Sequence, residues 1–351
     1  MRSQLGQNRV ATTGTSPISH ECDAAAAVLA RHTDNPSAFL ALNTETRHFH
    51  LPGIDGLVAY RPAGRRHLVQ LGGVFAGPDD QDRLLEGFQA MAEQQDRRIV
   101  SVQLLRSDAE RYAAHGFTVN QFGTSYARSL NDFSLKGGSH VRLRNKISRA
   151  RRAGVVVAEV GVDIEPSADL HAQLDVIDSD WLRSKGRHVK KLAFMVGERG
   201  GPAAKLRRLF VASGSDGFVL GYITFSPVYG RHAGWLHDLS RRLSTAPPGT
   251  MEVIIAAAIE RFRAAGVAYL HFGLTPFTKL SDDHELSGRS AIAARVIRLL
   301  AAHGEKVYPA ADQVAYKHKW GPDLVQPEYV AFSHGVSLGA VWSLLRLTNA
   351  V

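Results

Sequence analysis

The chain has 351 residues, 44% of them hydrophobic and 21% charged, with a formal net charge of +9 and one cysteine, Cys22. That length holds two domains of ordinary size, and a single thiol excludes a disulfide framework or a cysteine metal cluster. The charge is uneven: residues 1–135 carry 13 Arg, no Lys and 14 acidic residues, while residues 136–351 carry 29 basic and 19 acidic ones, so an anionic partner is expected for the second part.

In chain order, residues 1–20 read as a flexible polar leader without the apolar core of a signal peptide. "GLVAYRP" and "RHLVQLGGVF" read as strands. "DDQDRLLEGFQAMAEQQ" places Leu84, Leu85, Phe88 and Met91 at helical spacing behind acidic residues. "RIVSVQLL" is a β-branched strand. A helix follows with Ser107 as N-cap and Gly116 as stop, and "TVNQFGTSYARSL" supplies one or two more strands.

Gly137 and Gly138 then break the chain, and Ser139 is the expected cap of the helix "VRLRNKISRARRAG". Leu143, Ile147 and Ala150 share one face of it, and Arg142, Lys146 and Arg149 another. Arg144, Arg151 and Arg152 complete its basic set. After Gly154 come the strand "VVVAEV", the helix "ADLHAQLDVIDSDWLRSK", the strands "GFVLGYITFSPV" and "RHAGWLHDLSRR", and the helix "PPGTMEVIIAAAIERFRAAGV". "AYLHFGL" is a strand, "SAIAARVIRLLAAHG" a helix, and "YKHKW" and "PEYVAF" follow. The last segment, "SLGAVWSLLRLTNAV", puts Leu338, Val341, Trp342 and Leu345 on one helical face. That face suits docking on the core or contact with a membrane surface. Both parts run strands, helix, strand, helix, strand, a weak internal duplication. The expected fold class is α/β of the α+β type: two units side by side, each a mixed, partly antiparallel sheet flanked by helices. The expected boundaries are 21–135 and 136–351.

Three stretches could carry chemistry. "WLHDLSRR" sets Asp238 beside Arg241 and Arg242 at a strand end, shortly before a helix start, where unpaired backbone N–H groups attract anions. Asp238 there suits a general base or an amine-orienting carboxylate, or a structural ion pair. "YKHKW" spaces Lys317 and Lys319 by two, which in an extended segment puts both on one face toward a phosphate or oxyanion. "WLRSKGRHVKK" adds a second basic cluster between Trp181 and Lys191. Neither cluster matches a DNA-reading module. No HExxH, P-loop, GxSxG or convincing GxGxxG is present, so no metal, NTP or dinucleotide site is expected. No apolar run reaches the roughly 18 residues of a membrane span, and the expected address is the cytoplasm.

"VRLRNKISRARRAGV", "GFVLGYITFSPV", "HDLSRR", "PGTMEVIIAAAIERFRAAGVAYLHFGLTPF" and "YKHKWGPDLVQPEYVAF" occur in an order and spacing that resemble one family. It is the catalytic domain of the aminoacyl-phosphatidylglycerol synthases, lysyl and alanyl, with their soluble relatives. The resemblance covers roughly residues 35–350 and is strongest over 136–350. It implies a tandem of two GNAT-like folds that transfers an aminoacyl group from charged tRNA to an acceptor hydroxyl. Aminoacyl-tRNA is then a co-substrate, no further cofactor is implied, and a dedicated aminoacyl-tRNA synthetase is a compatible partner.

By the same resemblance, Asp238 and Arg241 line the transfer site, with Arg242 and Trp181 beside it. Lys317 and Lys319 contact the tRNA terminus or an acceptor phosphate. Gly273 and Pro276 match the turn after the "FxxGxxP" strand, and the helix from Arg142 meets the acceptor stem. Lys191 falls where lysyl-type enzymes carry a glutamate. Two like charges about 4 Å apart cost on the order of 1–4 kcal/mol, so a small neutral aminoacyl group, seryl or alanyl, is expected over lysyl. The acceptor is a hydroxyl, amine or hydroxylamine on a soluble intermediate, slightly favoured, or on phosphatidylglycerol at the membrane surface. Two other readings stay open: a GNAT N-acetyltransferase using acetyl-CoA, and a non-catalytic module binding tRNA or a membrane surface.

Overall fold

The computed structural model describes residues 17–184, 194–303 and 310–347. Eleven strands form one continuous sheet among them: β1 Arg47–Phe49, β2 Gly56–Ala63, β3 His67–Ala76, β4 Arg98–Leu104, β5 Thr118–Ser129, β6 Val156–Glu159, β7 Arg208–Ser213, β8 Val219–Val228, β9 Gly234–Arg242, β10 Tyr269–Pro276 and β11 Leu324–Phe332. Their order is β1-β2-β3-β4-β11-β5-β10-β9-β8-β7-β6. Only β3 with β4 and β9 with β10 run parallel; the other named pairs are antiparallel. Each parallel pair is short. His67–Leu71 faces Arg98–Val102, and Gly234–Leu236 faces Tyr269–His271, after which the strands part. A short parallel pair that splays, inside an otherwise antiparallel sheet with helices over it, gives each half its GNAT-like form.

The two halves share strands. β11, last in sequence, lies between β4 and β5, with Phe332 opposite Val100 and Thr118. β5, last of the first half, pairs with β10 of the second. The sheet is thus unbroken at residue 135, where the first part was expected to end.

Nine α-helices pack on the sheet among the described residues. α1, Pro17–His32, begins inside the expected leader. α2, Gln81–Gln94, buries Leu84, Leu85 and Phe88, as its spacing predicts. α3, Arg106–Ala114, starts one residue before the expected Ser107 cap, and Gly116 at φ +81° turns the chain away from it. α4, Val141–Arg152, buries Leu143, Ile147 and Ala150 against α6, Thr250–Ala264. Ser139 sits in a 3-10 turn before α4, whose flanking residue is His140. Gly154 at φ +80° ends α4 while the Val155 N–H returns to the Ala150 carbonyl. α5, Ala168–Ser184, lies over β8 and β9. Under α6, the rings of Phe210, Phe225 and Phe262 meet edge to face at 5.1–5.9 Å between centroids. Each such buried ring contributes about 1.5–3 kcal/mol. α7 spans Ala291–His303 and α9 Leu338–Leu347.

Two expectations are corrected. "YKHKW" is not extended: α8, Ala310–His318, carries Tyr316 and Lys317, and Gly321 at φ +61° follows the turn through Trp320. The apolar residues of α8 pack inward, since Val314 and Tyr316 lie against the second-half core. Helical spacing separates the two lysines, and Trp320 is fully buried near Phe133 and Phe272. The expected docking face of α9 is also reversed. Ala340, Leu344 and Leu347 meet the first-half core, while Leu338 is 91% exposed and Val341 and Trp342 face outward.

Candidate active site

The site forms where β9 and β10 part. Both strands are irregular there. β9 fits Leu239 opposite Thr224 and His237 opposite Phe225, leaving Asp238 as an extra residue. Along β5, β10 shifts register between His271 and Gly273. Such bulges re-aim side chains and end pairing. Their contacts put His237 and Asp238 on opposite sides of the sheet.

On one side His237 stands half-buried, 6.1 Å ring to ring from Tyr316 and 6.4 Å from Phe272. Its Nε2, the Tyr316 hydroxyl and the Thr275 hydroxyl have no hydrogen-bond partner among the described residues. Burial, with the Lys317 charge adding to it, pushes His237 down to about 4, so its ring is neutral at pH 7. Lys317 donates from Nζ to the carbonyls of Gly273 at 2.7 Å and Leu274 at 3.0 Å, and lies 5.4 Å from the Tyr126 ring centre. The positive φ of Gly273, +68°, shapes the strand there. Pro276 closes β10 opposite Gly123, where a Cβ would stand 2.5 Å from the Thr275 carbonyl oxygen. Burial brings Lys317 down to about 7, opposed by Glu328.

Glu328 lies in β11, fully buried, with the Ser125 hydroxyl beside it but no partner in full hydrogen-bond geometry among the described residues. Burial lifts it to about 7, against the pull of the Ser125 hydroxyl and of Lys317. Buried polar groups are normally paired. A carboxyl, an imidazole, a phenol and a hydroxyl without geometric hydrogen-bond partners thus gather around a splayed strand pair as a polar cluster.

Lys319 leads out of this cluster. Its Nζ lies 4.9 Å from the Tyr316 ring centre and 3.2 Å from Glu252 Oε1. Glu252, buried in the first turn of α6, also receives Lys146 of α4 at 3.4 Å. One carboxylate thus ties the basic helix to the cluster. Of the other α4 residues, Arg144 donates to the Leu135 and Gly137 carbonyls, Arg151 lies 3.7 Å from Glu260, and Arg152 donates to Ser148 of its own helix. Arg142 and Arg149 are exposed and have no ionic partner among the described residues.

On the other side of the sheet Asp238 is locked in an ion pair. Arg207 Nε lies 3.1 Å from its Oδ2, with both side chains at most 2% exposed. Arg207 also donates to Asn43 at 2.6 Å and covers the Phe39 ring at 4.9 Å. A Cβ at Gly197 would overlap the Asp238 carboxyl, so the 194–201 segment lies directly on it. Burial raises the Asp238 carboxyl, and Arg207 opposes that. Arg241, also buried, sits 2.8 Å from Asp178 and 4.8 Å over the Trp181 ring, joining β9 to α5. Arg242 is exposed and donates to the Leu243 carbonyl. Lys191 and the basic residues 185–193 around it lie outside the described residues.

The structure therefore brings Lys317, Lys319 and Gly273 to one cluster, and Asp238, Arg241 and Trp181 to the opposite side of the same strand. His237, Tyr316, Glu328, Arg207 and Glu252 escaped the sequence reading. A glutamate inside the apolar run "PEYVAF" was a usable signal for Glu328. Nothing local marks Arg207.

Two GNAT-like halves that exchange strands, with a polar cluster at one splayed pair, define a tandem GNAT-type protein. The sequence matches the family model for the C-terminal region of phosphatidylglycerol lysyltransferase over residues 26–332, and the chain belongs to that family. It is 22% identical over 288 residues to the lysylphosphatidylglycerol biosynthesis bifunctional protein LysX of Rhodococcus jostii, covering 79% of this chain and 25% of that protein. The chain thus spans about a quarter of that relative's length. The structure of L-PGS from Bacillus licheniformis superposes with a TM-score of 0.76 at 21% identity, covering 94% of this chain and 97% of that one. The C-terminal domain of a putative lysylphosphatidylglycerol synthetase from Agrobacterium fabrum gives 0.72 at 21%, covering 95% and 97%. These two likenesses bear on the fold.

Proposed function

We propose that this chain transfers an aminoacyl group from charged tRNA to a hydroxyl or amine acceptor. The observation that carries the reading is the cluster of buried polar groups at the splayed β9–β10 pair, connected through Lys319 and Glu252 to the basic helix α4. The acceptor heteroatom attacks the ester carbonyl carbon, a tetrahedral oxyanion forms, and the tRNA ribose oxygen leaves with a proton. The ester is already activated, so the reaction balances without ATP. Holding both reactants together supplies much of the rate. Protonated Lys317 offsets the oxyanion, and neutral His237 takes the acceptor proton. Lys319 meets the phosphate of the tRNA end. Asp238 and Arg241 act as positioning residues that hold β9 and the 194–201 segment in place. Arg142 and Arg149 meet the acceptor stem. The presence of Lys191 in the sequence favours a small neutral aminoacyl group over lysyl.

The acetyl-CoA reading is weaker for a specific reason. A Cβ at Gly249 would overlap the Lys146 carbonyl, so α4 is seated on the turn that a CoA pyrophosphate would need.

The test incubates the purified chain with tRNAs charged with single labelled amino acids and a panel of lipid and soluble acceptors. Label is expected to move to an acceptor, and Lys317→Met is expected to slow transfer at least 100-fold, the scale of a lost charge-stabilising group. Unchanged transfer in that variant would remove Lys317 from the mechanism. Salt-sensitive tRNA binding without turnover would leave a binding module, and tight acetyl-CoA binding by calorimetry would favour acetyl transfer.

A further inference from the structure

Helix α7 is oriented against the usual rule for a surface helix. Its buried positions are the alanines Ala293 and Ala294 and its Ile297 and Leu300 are half-buried, while three large aliphatic residues point outward. Ile292 is 79% exposed, Val296 50% and Leu299 61%. Their i, i+4, i+7 spacing makes one stripe. Arg295 and Arg298 stand beside it on the adjacent strip, both exposed. Arg298 and Arg289 share Asp282, each at 2.6 Å, while Arg295 has no ionic partner among the described residues. α7 follows β10 in the chain, and the Asn120 side chain of β5 donates to the Ser290 carbonyl at its start, so the helix stands at the end toward which β9 and β10 splay.

A stripe of exposed aliphatics next to arginines is the pattern of a helix that lies in a bilayer interface. Each such side chain, once covered, contributes up to about 1.5–3 kcal/mol. A second copy of the chain is a poor occupant. Facing stripes would bring the arginines of two copies together, and three side chains fall far short of the about 800 Å² per partner of a stable interface. The net charge of +10 over residues 136–351 adds a long-range preference for an anionic surface.

We propose that α7 docks this chain on an anionic bilayer, with Ile292, Val296 and Leu299 below the headgroups and Arg295 and Arg298 against lipid phosphates. The docking goes beyond the transfer reading and fails separately from it, because it is measured without tRNA.

The experiment is co-sedimentation of the full chain with vesicles of phosphatidylcholine alone and of equal parts phosphatidylcholine and phosphatidylglycerol. The protein is expected to pellet with the anionic vesicles and stay in solution with the neutral ones. Ile292→Ser/Val296→Ser/Leu299→Ser is expected to lower the bound fraction at least tenfold with the thermal midpoint little changed, since all three side chains face outward. Arg295→Glu, which leaves the stripe intact, is expected to weaken binding to anionic vesicles and supplies the decision if the triple variant does not fold. Wild-type protein that stays in solution with anionic vesicles overturns the proposal. So does equal pelleting of wild type and variants. A dimer in gel filtration that the triple variant dissolves would instead make the stripe a self-association face and also overturn it.

Discussion

Glu328 and Lys317 oppose each other inside the sheet, each moved by burial toward its neutral form. Because folding raises the Glu328 pKa, the stability it permits is full below about 4.5, its ordinary value, and is lost as pH rises through about 7. Glu328→Gln is therefore expected to stabilise the fold by roughly 1–3 kcal/mol at pH 8. The gain should vanish near pH 4.5, and calorimetric midpoints at the two pH values check it. Lys317 makes the opposite statement in catalysis: transfer should fall as pH rises through about 7, where its ammonium is lost. A pH profile of kcat/KM with that limb, absent in Lys317→Met, is the expected record. Asp238→Ala should cost about 3–5 kcal/mol, because it leaves Arg207 charged and unpaired in the core. Denaturant unfolding measures this directly. The sequence marked Asp238 as a polar strand end but not which face it takes. That depends on one extra residue in β9, and a bulge leaves no compositional trace.

The helices and strands were largely legible because their apolar periods are strong. α2 and α4 bury the residues their spacing selects. Failure came where period was weak or misleading. α8 was lost because lysines at spacing two fit a strand as well as a helix end. α9 was inverted because an apolar face was expected to seek the core. In α4 the face containing Arg142 and Arg149 is free, while Lys146 is engaged by Glu252. Arg142→Ala/Arg149→Ala is thus the clean variant. It should weaken tRNA binding and flatten the plot of log affinity against log salt by up to about 2, near one unit per lost phosphate contact. Thermal stability should barely change. An unaltered salt slope would mean the tRNA docks elsewhere.

At the scale of the whole molecule, the two GNAT-like layouts were visible as a repeat of strand and helix signals, but the exchange of β5 and β11 was not. Pairing between residues some 200 positions apart has no local signature, and a weak duplication suggests two separate units. The exchange makes the halves thermodynamically inseparable. Each needs the other's last strand to fill its sheet, so calorimetry of the intact chain should give one cooperative transition. Removal of residues 324–351 should abolish folding of both halves, including the first, which lies far away in sequence. Two resolved transitions in the intact chain would contradict this.

The same exchange dictates how the protein can be made. When β5 leaves the ribosome, the slot between it and β4 stands open, with two bare strand edges that invite pairing with another chain. The strand that closes it is about 200 residues further on, roughly 10–40 seconds of synthesis. During that interval the nascent first half is a template for aggregation, so its assembly calls for shielding by a chaperone or for delayed collapse until the C-terminus arrives.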